Sequence, residues 1–229
     1  MFLFDSTILI ILPAILLGIW AQSAINRTYQ KYSKEYARSG ISAAQMARDL
    51  LDRNGLQEVR VERSQGGGLS DHYDPRSNAL YLSASVYASS SVAALGVAAH
   101  EAGHAIQKNT GYLPLALRSA LVPVANIGNY AAWPLLLLGL FMGSYDLAMI
   151  GVIVFAAAVL FQVVTLPVEF NASRRALNAL EDGGYLDREE VYGASKVLRA
   201  AAMTYVAAAL MSVLQLLRLM TIANRADRR

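Results

Sequence analysis

The chain has 229 residues, 55% of them hydrophobic and only 16% charged, with a formal net charge of +3. It holds no cysteine, which excludes disulfides, thiolate metal sites and a catalytic thiol, and leaves His and carboxylates to bind any metal. So small a charge excess gives no case for a nucleic-acid partner, and the apolar balance points to membrane spans beside a small folded domain.

The chain opens with MFLFDSTILIILPAILLGIWA, apolar from Phe2 to Ala21 apart from Asp5 and a few small polar residues. About 20 apolar residues cross a bilayer core as a helix. No positive n-region precedes the run, so a retained anchor is preferred over a cleavable signal peptide. Arg27, Lys31, Lys34 and Arg38 follow, and the positive-inside tendency puts that flank on the cytoplasmic side.

A soluble α+β insert comes next. SAAQMARDLLDRNG has Ser42 and Gln45 in capping-box positions, an apolar stripe and Gly55 as a stop, which predicts a helix. EVRVER alternates, and SQGGGLSDHYDPRSNALYLS follows it; together they predict two or three short strands joined by Gly- and Pro-rich turns. From Ser91 the pattern is helical again to about Lys108, and NTGYLP ends it.

Two further apolar runs, Leu121 to Phe141 and Leu147 to Leu166, are separated only by MGSYD, so they are expected as antiparallel spans. PVEFNASRRALNALEDGGY then continues the third span as a helix past a kink at Pro167 and stops at Gly183. Asp187 and Glu190 open a last long helix whose apolar part is Ala200 to Leu217. As a fourth span it would put Arg225, Arg228 and Arg229 outside, against the positive-inside tendency; otherwise it lies partly buried against the other helices. No internal repeat and no low-complexity tract is found.

The chemistry is concentrated in AALGVAAHEAGHAIQKNTGY, which carries two of the chain's three histidines. Residues i and i+4 share a helix face, so His100 and His104 can aim both imidazoles at one ion. Glu101 lies about 100° round the helix, near enough to reach a water on that ion without ligating it. This is the content of the H-E-x-x-H pattern: two zinc ligands and a general base in one turn. Zinc lowers the pKa of bound water toward neutrality, and a carboxylate can take its proton as it attacks a peptide carbonyl. The competing reading is a pair of surface or carbonyl-bonded histidines; the small neighbours Ala102, Gly103 and Ala105 favour the metal. A catalytic zinc also needs a third protein ligand and an open position. His72 and several carboxylates compete for it, and Glu169 is chosen because the third span returns it to the membrane face of His100 and His104.

HEAGHAIQ, a two-span hairpin and then EFNASRRA resemble, over nearly the whole chain, the YugP-type membrane zinc metallopeptidases of bacteria. The likeness to the HtpX-type membrane proteases is more distant. The resemblance implies that His100, His104 and Glu169 bind zinc and that Glu101 is the catalytic base. The HtpX-like pattern has an aspartate where this chain has Ser173, and that aspartate can support a ligand histidine. Asn171 or another carboxylate is the candidate replacement.

Secondary signals are weighed against plainer readings. His72, between Asp71 and Asp74 after three glycines, is either an oxyanion or peptide donor on a substrate-binding edge strand or part of a polar hairpin turn. Tyr205 in AAAMTYVAAAL is a candidate phenolic oxyanion donor or a packed helix residue. Asn126 and Asn129 are expected to make interhelical hydrogen bonds. Arg174 and Arg175 are a basic flank, or bind a substrate carboxylate.

The expected protein is a mainly α integral membrane protein with a small α+β cytoplasmic metalloprotease domain, a zinc helix and a transmembrane hairpin. Its organisation is an N-terminal anchor over 1–25, a zincin-like domain over 26–114, the hairpin over 115–167, and the third-ligand and C-terminal apolar helices over 168–229. It is expected to be a multi-pass zinc endopeptidase of the bacterial inner membrane, acting at the cytoplasmic face. Its substrates would be membrane or unfolded proteins, with lipid and a membrane protein or second copy as further partners. The alternative is a zinc-binding scaffold acting through partners, against which Glu101 argues, since a scaffold needs no base.

Overall fold

The computed structural model describes residues 6–65 and 70–227. The glycine run Gly66–Gly68, Asp5, Arg228 and Arg229 lie outside the described residues. The elements in order are α1 (Ile8–Tyr32), α2 (Ala43–Arg53), β1 (Arg60–Arg63), β2 (His72–Asp74) and β3 (Ala79–Leu82). They are followed by α3 (Ala84–Tyr87), α4 (Val92–Asn109), α5 (Leu113–Met142), α6 (Tyr145–Asp182) and α7 (Arg188–Asp227). Four helices, α1, α5, α6 and α7, are long and apolar enough to cross a membrane. The chain divides into two compact units.

The first unit holds Met1–Gln22, Ala116–Pro167 and Met203–Arg229. Here α5 and α6 pack antiparallel, and small residues set the distance. A Cβ on Gly139 would lie 2.3 Å from the Ala148 nitrogen, so only glycine permits the two backbones to meet there. Ala132, Leu136, Ala148, Val152 and Phe155 form the packed seam with Leu219 and Ala223 of α7. Asn126 and Asn129 do not enter it and are exposed. The packed face of α5 is Ala125, Gly128 and Ala132, and a residue step of about 100° carries both asparagines off that face. Large apolar side chains such as Ile127, Phe141 and Ile153 point outward, as they do where lipid is the solvent. Arg218 is buried and donates from Nε to Thr7 Oγ1 at 3.3 Å.

The second unit holds Ser23–Leu115 and Val168–Ala202. α2 starts at a reciprocal capping box of Ser42 and Gln45, and Gly55, with φ +73°, turns the chain out at its end. Its buried stripe, Met46, Ala47, Leu50 and Leu51, joins the core beneath α4. The sheet order is β1-β3-β2, with β1 parallel and β2 antiparallel to the central β3. Leu80 and Leu82 are fully buried, whereas Tyr81 between them faces the other way and is partly open. The same core takes Ala176 and Leu180 from α6 and Ala194, Val197 and Leu198 from α7.

Candidate metal centre

α4 starts at Ser91, whose hydroxyl accepts the Ala94 N–H, and its middle is built from Ala and Gly. That composition lets backbone come close. A Cβ on Gly103 would lie 3.0 Å from the Ala172 carbonyl oxygen of α6, and its absence seats α6 against the turn that carries His100 and His104. Glu169, one turn before Ala172, is thereby delivered to the two imidazoles.

Oε2 of Glu169 lies 3.2 Å from His100 Nε2 and 3.8 Å from His104 Nε2. Ligand atoms on one tetrahedral zinc, each bonded at about 2.0–2.1 Å, are separated by roughly 3.3 Å, which these distances bracket. The three ligand atoms lie within 4.8 Å of one another, and the imidazoles meet edge to face. The Glu169 side chain is only 3% exposed. A carboxylate so far out of water stays ionised only with positive charge beside it. Two imidazoles and a carboxylate are a nitrogen and oxygen set that suits zinc, so the residues present fit the ion.

The far side of each ring is also held. Ser173 Oγ lies 3.1 Å from His100 Nδ1, and Gln107 Oε1 lies 3.0 Å from His104 Nδ1. Gln107 is fully buried, and its amide nitrogen donates to the Val168 carbonyl at 2.9 Å and to Asn171 Oδ1 at 3.0 Å. With both amide hydrogens committed, its oxygen must accept, so Nδ1 of His104 carries the proton and Nε2 keeps its lone pair for a ligand. Asn171 Oδ1 also accepts from Arg175 Nε at 2.8 Å. Asn171 thus reaches His104 through Gln107, and Ser173 itself takes the supporting place beside His100. Sequence reasoning missed Gln107; its i+3 spacing from His104 was the available signal.

Glu101 is fixed to the sheet: its Oε2 accepts the Tyr73 N–H of β2 at 3.2 Å. Burial is the main reason its pKa is pushed up to about 7; the Glu169 charge adds to the rise, while His100 and the Tyr73 hydrogen bond oppose it. A bound cation would draw it down again. Lys108, further along α4, donates to the Pro75 carbonyl at 2.9 Å. The outer edge of β2 therefore faces α4 side chains.

His72 sits on β2 with its ring stacked on Tyr81, centroids 5.0 Å apart, and is exposed. Its Nδ1 lies 2.9 Å from the Ser70 carbonyl, to which it can donate. Those contacts are apart from the ligand group. Tyr205 is a half-buried residue of α7 and belongs to the first unit. Arg175 joins the network just described, and Arg174 is exposed.

A model of the family described as "Putative neutral zinc metallopeptidase" matches residues 7–224. The chain is also 46% identical, over 215 residues, to "Putative membrane protease YugP" of Bacillus subtilis (strain 168), a match covering 94% of this chain and 95% of that protein. No solved structure matches it.

Proposed function

The chain belongs to the zinc metallopeptidase family whose model spans residues 7–224, and from that premise we propose a zinc-dependent endopeptidase of the bacterial inner membrane. His100, His104 and Glu169 are its metal ligands, and Glu101 is its general base. The observation that carries this reading is the convergence of two Nε2 atoms on one Glu169 oxygen, with both Nδ1 atoms already held by Ser173 and Gln107.

Zinc bound there supplies Lewis acidity, making water a better acid and polarising a peptide carbonyl. Glu101 takes a proton from water as its oxygen attacks the carbonyl carbon, then passes that proton to the departing amine. Tyr73, by its backbone N–H, holds the Glu101 carboxylate in position through this transfer. Ser173 and Gln107 keep each ring turned so that Nε2 faces Glu169. His72 is proposed as a donor to the charge that develops on the substrate carbonyl.

The basic residues after the first apolar helix support a cytoplasmic active face, with substrates drawn from membrane proteins or unfolded segments near the bilayer. The segments 1–25 and 115–167 would then be the anchor and hairpin, and 26–114 the peptidase domain, with 168–229 supplying Glu169 and a fourth span. The experiment is direct: purified protein should cleave unfolded casein with zinc present and stop when a chelator is added. Protein that holds zinc yet leaves casein intact would favour the scaffold.

A further inference from the structure

A second concavity in the same unit as the metal centre has a different chemistry. A basin of about 420 Å³ lies between α1 and α7, lined by Arg27, Thr28, Lys31, Tyr32, Tyr192 and Lys196. Three of the six lining residues are cations and none is a carboxylate. Glu35 lies 3.9 Å from Lys31, but both side chains are about half exposed or more, so this pair neutralises little. The ammonium of Lys31 lies 4.8 Å from the ring centre of Tyr32, and that of Lys196 lies 4.7 Å from the ring centre of Tyr192. Each lysine is thus parked against an aromatic wall. The Arg27 guanidinium uses Nη1 on Ser23 Oγ at 2.9 Å, and its other N–H groups remain to donate.

The position along each helix is equally telling. On α1 the apolar run ends just before Asn26 and Arg27, and on α7 the apolar stretch begins just after Arg199. Both helices therefore carry the basin where hydrocarbon gives way to headgroups. An ordinary basic flank spreads its charges over a solvated surface. Here cations from two helices, far apart in sequence, meet around one hollow with aromatic walls. We propose that this basin binds a phosphate anion of the kind carried by the headgroup of an anionic phospholipid, its charge on Arg27, Lys31 and Lys196 and its glycerol against the two tyrosines. The site stands independently of the peptidase reading, since none of its residues touches the ligand group.

Full-length protein in dodecyl maltoside, titrated with phosphatidylglycerol and with phosphatidylcholine and read by native mass spectrometry, tests it. The wild type should retain phosphatidylglycerol and not phosphatidylcholine. Arg27→Gln, Lys31→Gln and Lys196→Gln together should weaken that retention ~100-fold, at about fivefold per cation. A control carrying Arg60→Gln, Arg63→Gln and Arg76→Gln removes the same charge from the sheet region and should bind like wild type. Thermal unfolding of both variants at the wild-type midpoint excludes misfolding as the cause. Millimolar inorganic phosphate should displace phosphatidylglycerol, as it must if the three cations hold the headgroup by its anionic charge. Equal retention of the two lipids, or equal loss in the basin and control variants, would overturn the proposal.

Discussion

Gln107 presents its amide oxygen to Nδ1 of His104 across 3.0 Å, one turn further along the same helix. Its other end is pinned to the α6 backbone at Val168, one residue before Glu169. One buried amide therefore ties a ligand histidine to the segment that supplies the ligand carboxylate. Gln107→Ala should weaken zinc binding 10–100-fold, as loss of a partner behind a ligand histidine does. Gln107→Glu keeps the acceptor but loses both donors, leaving a carboxylate against the Val168 carbonyl, and should not restore affinity. Competition with a chromophoric chelator measures both. Wild-type affinity in Gln107→Ala would detach Gln107 from the site.

Glu169→Ala should strip zinc from the purified protein, whereas His72→Ala should retain it. The carboxylate oxygen sits between two Nε2 atoms, while His72 is engaged with Tyr81 and Ser70. Elemental analysis of the two variants decides. The reverse pattern would make His72 the third ligand.

Much of the fold was legible in the sequence, because the deciding signals were local. Four apolar runs became four membrane-length helices. Ser42 and Gln45 formed the capping box that their spacing predicts, and Asp187 and Glu190 open α7 by exchanging hydrogen bonds with each other's backbone N–H at 2.9 Å. Pairings set by distant packing were not legible. Nothing in EVRVER says that β1 will run parallel to β3, with β2 on the far edge. Ser173 looked like a loss, because a serine carries no charge. Its hydroxyl nevertheless meets His100 Nδ1, which needs only a hydrogen-bond partner. Gln107 drew no notice in the sequence, because its burial and its bonds to Val168 and Asn171 come from α6, far along the chain.

The cluster of Tyr185, Asp49 and Arg53 should shape stability at both ends of the pH scale. Tyr185 donates to Asp49 Oδ2 at 2.5 Å, and Arg53 pairs with the same oxygen at 2.9 Å. These bonds, Tyr185 first, hold the Asp49 pKa below its ordinary value. Its contribution is present above the unfolded pKa and is lost as pH falls through the lower folded one. Burial, then Asp49, push the Tyr185 pKa up to about 12 from 10.0. That contribution is present below 10.0 and is lost as pH rises toward 12. Thermal unfolding across pH should show Asp49→Asn flattening the acid limb and Tyr185→Phe flattening the alkaline limb. Curves that overlay the wild type would show that the cluster contributes nothing.

A donor to the developing oxyanion should show in kinetics. A full donor is worth about 10²–10³-fold in kcat. His72→Ala is expected to lower kcat with zinc content unchanged. A variant that cleaves like wild type removes that residue from the reaction.

The most direct measurement is the zinc content and casein cleavage of Glu101→Gln beside the wild type. Glu101 bonds to the Tyr73 N–H and not to the ligand group, and the amide can accept the same hydrogen bond. The account predicts one zinc per chain in both proteins and cleavage only in the wild type. Cleavage by Glu101→Gln at the wild-type rate would contradict it, and so would loss of zinc together with activity.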